Sequence, residues 1–288
     1  MSGGMQRIRV RPHRVADQVP DTDPKTAKYW QPNWQRGTER RVLARDDNMV
    51  GGATLHMTYP PGYHRPEEKR FLSEHPAGRF EYHTTHEEIF ILKGELHFGK
   101  WYPFSALAYL NHPPFWLHPA DQYSDTGVVL LMKYSGEVDF YFVDTPDDWD
   151  GVEYYAPGMP ESPSLGHTCI DLDTMPWEPI LDTQGQPSGV QVRHLWEDKE
   201  RGWTTWMINL APGWHSRATP HRLPGGDELF LLQGSLHMDW EGEPIDLDGP
   251  GYYCDPDGFT RGGARSSTGC TAIRWTKGVD LRSPDLYY

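Results

Sequence analysis

Histidine and carboxylate side chains are concentrated in one short stretch of the chain. The segment EYHTTHEE at 81–88 contains two histidines and three glutamates, and His118 follows farther along, after the segment PPFWL. Imidazole and carboxylate groups are common ligands of borderline divalent metals. They are also common acid–base groups. These residue types therefore indicate metal-assisted or acid–base chemistry if the fold brings them together.

The elements that would position these residues are predicted from length and composition. A chain of 288 residues is longer than one compact core usually needs, which favours two domains. The 26 prolines and 29 glycines suit many short strands joined by tight turns better than long helices.

Charge and hydropathy exclude several classes of partner. The net charge of −14 repels phosphate backbones and anionic lipid, so we expect neither nucleic acid nor a membrane as a partner. No stretch approaches the roughly 18 apolar residues of a membrane span, and the N-terminus lacks the apolar block of a secretory signal. The three cysteines are too widely spaced for a disulfide framework. We therefore predict a cytoplasmic protein.

An internal repeat decides the predicted fold. The segment HEEIFILKGELHFG (86–99) aligns without gaps with GDELFLLQGSLHMD (226–239), and six of the fourteen positions are identical. PPGYH (60–64) precedes the first copy and APGWH (211–215) the second, while a Pro-containing turn follows each, at Pro113 and Pro256. Three matches in the same order indicate a tandem duplication.

Each repeat has the pattern of short β-strands. Apolar, β-rich runs flank a Gly turn in both copies, which is a hairpin signature. Closing such strands into barrels would hide their edges. The prediction is an all-β protein with four regions: an N-terminal arm (1–40), a first barrel (41–145), a linker (146–165) and a second barrel (166–288). The only helix-like pattern, at 66–75, lies in an insertion of about eleven residues that the first copy carries.

At this point the sequence resembles the cupin superfamily. Its first motif is a His-x-His pair followed by a Glu and, seven residues later, a Gly; Glu87 and Gly94 fit this spacing, with His83 as the second His. The second motif, Pro-x-Gly-x-x-His, matches 113–118 with Phe in place of Gly. The resemblance implies two tandem jelly-roll barrels and a metal site made of Glu81, which replaces the first His, together with His83, Glu87 and His118.

Strand geometry agrees with that site. Glu81 and His83 are two residues apart, so on a strand their side chains point to the same face. Glu87 would arrive on the next strand and His118 on a distant one. Such a set suits Fe(II), Mn, Zn, Ni or Co almost equally, and leaves a position open for substrate.

Alternatives remain around this set. His86 could replace Glu87 as a ligand or serve as a proton shuttle, and Glu81 could act as a base. Glu88 would replace Glu87 if the strand register slipped by one residue. Accidental His–Glu proximity is the competing explanation, and His112 has no partner that the sequence suggests.

The second repeat lacks the metal-binding residues. His221 and Leu223 occupy its His-x-His positions, Asp227 the Glu position and Arg261 that of the last His. Leucine cannot bind a metal, and arginine repels one. We therefore predict one divalent metal ion, in the N-terminal barrel only. The second barrel is expected to act as a scaffold, to dimerise or to bind an anion through Arg261.

Aromatic residues crowd the expected pocket. Most should be core or rim packing: Tyr82, Phe90, Phe98, Trp101, Tyr102, Phe104, Phe115 and Trp116. Phe115 and Trp116 lie in the turn that delivers His118, so with Trp101 they are candidates for the substrate pocket. Arg65, Lys69 and Arg70 could form a lid that binds a carboxylate, although a solvated charged loop is the more common outcome.

The resemblance extends over roughly 45–145 and 168–280. The chain is similar to bicupins with ChrR-like or DUF4437-like barrels and, more distantly, to diketone and aromatic-ring dioxygenases. This resemblance favours a metal-dependent enzyme, such as a dioxygenase, that acts on a small aromatic, diketone or keto-acid substrate. A non-catalytic sensory bicupin and a metal-dependent isomerase or C–C hydrolase are the alternatives, and a homodimer is the expected assembly.

Overall fold

The structure, a computed structural model, describes residues 13–14, 38–45, 51–65, 79–99, 103–136, 141–144, 154–155, 168–199, 201–216, 221–222, 227–240, 243–255, 260–283 and 286–287. Regular structure in these residues is almost entirely antiparallel β-sheet. None of them belongs to a helix with the length and apolar character required to span a membrane. The chain divides into two compact units, Gln18–Thr174 and Met175–Tyr288, the second of which also includes Met1–Asp17.

The N-terminal unit contains strands β2 to β14; β1 (His13–Arg14) pairs with a strand of the C-terminal unit. The bounds are β2 (Glu39–Arg45), β3 (Gly51–Tyr59), β4 (Tyr63–His64), β5 (Arg79–Tyr82), β6 (Glu87–Phe98), β7 (Phe104–Ser105), β8 (Ala108–His112), β9 (Trp116–Pro119), β10 (Gln122–Ser124), β11 (Val128–Gly136), β12 (Tyr141–Asp144), β13 (Tyr154–Tyr155) and β14 (Thr168–Asp171).

Two sheets make up this unit. One runs in the order β14-β8-β6-β11-β3-β2, with β4, β7 and β10 at its side, and the other runs β12-β5-β9-β13. The aliphatic and aromatic side chains of the first sheet bury one another in a continuous core that includes Leu55, Met57, Ile89, Ile91, Phe98, Leu110, Leu130 and Tyr134. This core holds β6, β8 and β11 together, while β5 and β9, which carry two of the candidate ligands, pair with each other in the second sheet.

The C-terminal unit repeats the arrangement. Its strands are β15 (Glu178–Leu181), β16 (Pro187–Asp198), β17 (Trp203–Leu210), β18 (Trp214–His215), β19 (His221–Arg222), β20 (Asp227–Trp240), β21 (Glu243–Asp248), β22 (Gly251–Asp255), β23 (Thr260–Ser266) and β24 (Cys270–Lys277). The order is β1-β22-β20-β24-β17-β16-β15, with β18, β19, β21 and β23 joined through β20 and β23. The predicted class, all-β with two tandem cupin barrels, is confirmed.

The duplication also appears as a shared backbone irregularity. Gly94 and Gly234 occupy matching positions, have φ values of +80° and +85°, and each follows a register shift in its strand pair. A Cβ at Gly94 would lie 1.9 Å from the carbonyl oxygen of Gly127, and one at Gly234 would lie 2.0 Å from that of Gly269. Only glycine fits this close approach, which explains why both repeats place a glycine there.

The predicted domain boundaries and the compact units differ in three places. The predicted arm (1–40) is divided between the two units after Asp17, and its strand β1 pairs with β22. Strand β13 lies within the predicted linker, yet it pairs with β9. Strand β14 lies within the predicted second barrel, yet it pairs with β8 of the N-terminal unit. Both strands satisfy backbone groups that would otherwise remain at an exposed sheet edge.

Two predicted segments lie outside the described residues. They are the helix at 66–75 and the N-terminal arm apart from 13–14 and 38–40.

Candidate metal centre

The four predicted ligands lie on strands that meet inside the N-terminal barrel. Glu81 on β5 and His118 on β9 are directly opposite each other in the antiparallel register. His83 follows β5, and Glu87 begins β6. All four side chains are buried, with 0 to 3% of each residue exposed.

The distances between these groups are close to those that one cation requires. His118 Nε2 lies 3.4 Å from Glu81 Oε1, and His83 Nε2 lies 3.8 Å from Glu87 Oε2. Glu81, His83 and His118 each offer a ligand atom within 4.8 Å of the other two. Metal–ligand bonds of about 2 Å separate neighbouring ligand atoms by roughly 3 to 4 Å, and both of these pairs have such a spacing.

His112 is a further residue of the site, and the sequence interpretation missed it. It is directly opposite Glu87 in the register between β6 and β8, and its Nδ1 donates a hydrogen bond of 2.7 Å to Glu87 Oε2. Glu87, His112 and His118 also offer three ligand atoms within 4.8 Å of one another. The only signal in the sequence was its position immediately before the Pro of the second motif.

Arg65 holds Glu81 in its ionised form. Arg65 Nη1 donates to both carboxylate oxygens of Glu81 at 2.8 Å and to the carbonyl oxygen of Ala120 at 2.9 Å. Burial opposes ionisation of Glu81, but the positive charge of Arg65 and the adjacent His118 outweigh it and lower the pKa of Glu81 to about 2. Arg65 is only 3% exposed, so the expectation of a solvated charged loop is wrong for this residue. Lys69 and Arg70 lie outside the described residues.

Glu87 has its own set of partners. Tyr134 donates a hydrogen bond of 2.5 Å to Glu87 Oε1, while His112 occupies Oε2. Burial again opposes ionisation, yet the hydrogen bond from His112 and the nearby His83 lower the pKa of Glu87 below its usual range. Burial and the charge of Glu87 raise the pKa of Tyr134 well above 10, which keeps it a neutral donor.

The register places Glu87 and Glu88 on opposite sides of β6, because successive strand residues alternate faces. Glu88 accepts a hydrogen bond of 2.9 Å from Tyr109. His86 Nε2 is hydrogen-bonded to Asn111 Oδ1, and its Nδ1 lies 3.9 Å from Glu88. Glu88 and His86 therefore belong to a separate polar cluster and are in neither of the two ligand groups described above.

Aromatic rings form the wall beside the histidines. Trp116 is 1% exposed and stacks against His118, with 5.6 Å between ring centroids and an angle of 10° between the planes. Phe115 is half-buried, and its backbone has a φ of +65°. Glycine adopts this left-handed conformation most readily, and glycine is the residue that the motif has at this position. Trp101 lies outside the described residues.

The chemistry of the donors fits a metal ion. The carboxylates of Glu81 and Glu87 remain ionised and lie near His118. Both ring nitrogens of His118 are buried, and neither makes a hydrogen bond within the described part of the chain. A buried nitrogen without a partner is costly unless a ligand satisfies it. Glu81, His83, Glu87 and His118 could hold the ion, and His112 is an additional donor.

The C-terminal barrel has a different arrangement at the corresponding place. Asp227, the counterpart of Glu87, accepts two hydrogen bonds from Arg274, of 2.7 and 2.9 Å. The guanidinium supplies the positive charge that a metal would otherwise supply. Leu223 and the side chains of His221 and Arg261 lie outside the described part of the structure. Within the described residues, the three groups of potential ligands all lie in the N-terminal unit, the third being Glu95, His97 and Asp125.

Two antiparallel barrels in tandem, one of which encloses a His and carboxylate cluster, define a bicupin. Residues 165–277 match the family model of the ChrR cupin-like domain. The chain therefore has the cupin fold, and residues 165–277 are similar to the ChrR cupin-like domain. No curated protein sequence is significantly similar to the chain.

Several solved structures have the same fold. A protein of Nostoc punctiforme for which dioxygenase activity has been suggested has a TM-score of 0.61 and 19% identity, over 85% of this chain and 75% of that one. Oxalate decarboxylase from Bacillus subtilis has a TM-score of 0.53 and 13% identity, over 96% and 79%. A variant of salicylate 1,2-dioxygenase from Pseudoaminobacter salicylatoxidans, in complex with gentisate, has a TM-score of 0.55 and 12% identity, over 86% and 76%. At these identities the likeness establishes the fold and leaves the reaction open.

Proposed function

We propose that this protein is a metal-dependent enzyme that acts on a small oxygenated organic substrate, and that one divalent ion binds in the N-terminal barrel. The observation that carries the proposal is a buried cluster in which two groups of three potential ligands, Glu81 with His83 and Glu87 with His112, share His118. Buried carboxylates and imidazoles clustered in this way are typical of metal and catalytic sites.

Each residue has a defined task in this proposal. His83, Glu87 and His118 hold the ion, and Glu81 is the fourth ligand or a base. A bound divalent ion would chelate substrate oxygens and polarise a carbonyl or enolate. Arg65 keeps Glu81 ionised and oriented, in the way that outer groups commonly orient carboxylate ligands.

Tyr134 and His112 fix the orientation of Glu87 from two sides. Because both residues donate to the carboxylate, Glu87 stays ionised in a buried environment and needs no proton to be released when a cation binds. His112 is also the nearest additional imidazole, so it is the replacement ligand that we expect if Glu81 remains with Arg65.

The proposed substrate class rests on the aromatic side chains beside the histidines and on the fold relatives. Trp116 lies directly against His118 and Phe115 is next to it in the same turn, which favours a planar or aromatic compound. Oxalate decarboxylase and salicylate 1,2-dioxygenase, which share the fold, are named for small oxygenated acids. We therefore favour aromatic acids, diketones and keto acids, with a dioxygenase reaction as the leading class.

Metal content of the purified full-length protein tests the site. We expect about one equivalent of a transition metal by elemental analysis, lost on Glu87→Gln and retained on Glu88→Gln. The two glutamates are adjacent and buried, and they face opposite sides of β6, so the second variant controls for the loss of a buried carboxylate. Equal metal content in the wild type and Glu87→Gln would contradict the proposed ligand set.

Oxygen dependence tests the reaction class. The metal-loaded protein is incubated with a panel of aromatic acids, diketones and keto acids, in air and without oxygen. Turnover only in air supports a dioxygenase, whereas turnover without oxygen identifies an isomerase or a C–C hydrolase. Binding without turnover in either atmosphere identifies a sensory bicupin and overturns the enzyme proposal.

Two further parts of the proposal concern the rest of the molecule. We propose that the C-terminal barrel binds no metal, because Arg274 neutralises Asp227. A homodimer is the proposed assembly, and sedimentation of the purified protein at several concentrations tests it.

A further inference from the structure

Four polar side chains form a row across the C-terminal barrel. His215 on β18 pairs with Arg265 on β23, which pairs with His237 on β20, which in turn pairs with Asp246 on β21. Residues directly opposite one another on neighbouring antiparallel strands point to the same face of the sheet. All four residues line one open cleft of about 870 Å³.

Arg265 supplies the permanent positive charge in this row. Its side chain is exposed, and no ion pair to it is found among the described residues. His237 Nδ1 donates a hydrogen bond of 2.7 Å to Asp246 Oδ1, which fixes the orientation of the ring. The register places the guanidinium between His215 and His237. The other ring nitrogen of His237, Nε2, lies 3.7 Å from Asp239 Oδ1, so Arg265 is the group of this row that is suited to binding an oxyanion.

Hydroxyl groups also line this cleft. Ser235 Oγ is 2.8 Å from Thr268 Oγ1 and 3.5 Å from Ser267 Oγ, and all three residues line the cavity. Asp246 and Asp248 line it as well. Carboxylates accept hydrogen bonds from ligand hydroxyls, and serine and threonine both donate and accept. The lining thus combines one guanidinium with several groups that can bind hydroxyls.

The N-terminal barrel has a corresponding row in which a tyrosine occupies the place of Arg265. There Tyr123 pairs with His64 on one side and His97 on the other. The Tyr123 ring stacks on the His97 ring, with 4.3 Å between centroids and 14° between planes. The duplicated rows differ at the central position, where Arg265 replaces the stacking tyrosine.

We propose that the cleft of the C-terminal barrel binds a small hydroxylated carboxylic acid. The carboxylate lies on Arg265 between the two imidazoles, and the hydroxyl groups contact Ser235 and the aspartates. This site is separate from the metal centre and does not depend on the proposed reaction, because its residues all belong to the C-terminal unit.

Calorimetric titration of the full-length protein with gluconate tests the proposal. We expect a dissociation constant at or below about 1 mM, weakened at least about 10-fold by Arg265→Gln, since charge-assisted hydrogen bonds are lost. Arg265→Tyr introduces the residue that the N-terminal barrel has at this position, Tyr123, and should abolish binding. Arg201→Gln removes another exposed arginine of the same unit, outside the cleft, and should leave binding unchanged.

Acetate, which has only the carboxylate, and glucose, which has only the hydroxyl groups, serve as partial ligands. Each should bind more weakly than gluconate, because each contacts only part of the lining. Two results would overturn the proposal: no measurable binding of gluconate to the wild type, or equal affinity of the wild type and Arg265→Gln. His83→Ala should bind gluconate as the wild type does, so that loss of the metal centre and failure of this site give different results.

Discussion

Arg274 and Asp227 form a two-point ion pair inside the C-terminal barrel, with hydrogen bonds of 2.7 and 2.9 Å. By the register of the strands, Asp227 matches Glu87 and Arg274 matches Met132 of the N-terminal barrel. One repeat therefore places its carboxylate among histidines, while the other places it against a guanidinium. Arg274 on β24, together with the loss of the motif histidines at Leu223 and Arg261, separates a structural ion pair from a candidate ligand.

Breaking this pair should destabilise the C-terminal barrel. Arg274→Met copies the N-terminal residue but leaves Asp227 buried without its counter-charge, and we expect a loss of about 3 to 5 kcal/mol in the free energy of unfolding. The double variant Arg274→Met/Asp227→Asn removes both charges and should recover much of that loss. Urea denaturation of the three proteins measures the effect, and equal stability of wild type and Arg274→Met would refute it.

Arg65 should control the acid stability of the metal-free N-terminal barrel. The pKa of Glu81 is lowered from 4.5 to about 2, so its ionised form stabilises the fold above pH 4.5 and this contribution is lost as the pH falls towards 2. Arg65→Met raises the pKa of Glu81, so the same loss should occur at higher pH. Tryptophan fluorescence in chelator, followed from pH 7 to 2, should show a midpoint shifted upward, with Arg201→Gln as the unshifted control.

Phe115 should tolerate glycine better than a β-branched residue. Its φ of +65° costs a side-chain-bearing residue about 1 kcal/mol, and more when the side chain is β-branched. Phe115→Val should therefore be less stable than Phe115→Gly by about 1 to 2 kcal/mol. Thermal denaturation compares the two variants, and the reverse order would show that packing of the ring outweighs the backbone conformation.

Cys270 should resist alkylation while the protein is folded. Burial raises the pKa of its thiol to about 11, so the reactive thiolate is scarce at pH 8. We expect iodoacetamide to modify Cys270 slowly at pH 8, faster as the pH approaches 11, and at once in the denatured chain. Mass spectrometry of the peptide that contains Cys270 gives the rates, and rapid modification at pH 8 would contradict the burial.

Much of the candidate site could be predicted because its signal is local. The spacing from His83 to Glu87 to Gly94 lies within one short segment, and His118 follows a short turn, so the motif can be recognised without knowledge of distant partners. The hairpin predicted around Gly94 is wrong, because β6 continues through the glycine as one strand with a register shift. The duplication, the all-β class and the absence of the motif residues in the second repeat were determined by the sequence in the same way.

The tertiary structure alone decided the electrostatic partners. His112 reaches Glu87 across 25 residues, Arg65 reaches Glu81 across 16, and Arg274 reaches Asp227 across 47. Each contact depends on the register between separate strands, and a shift of one residue would turn every side chain to the opposite face. An apolar run that fills both faces of β6 cannot specify that register, so only the packed barrel determines which carboxylate faces the histidines.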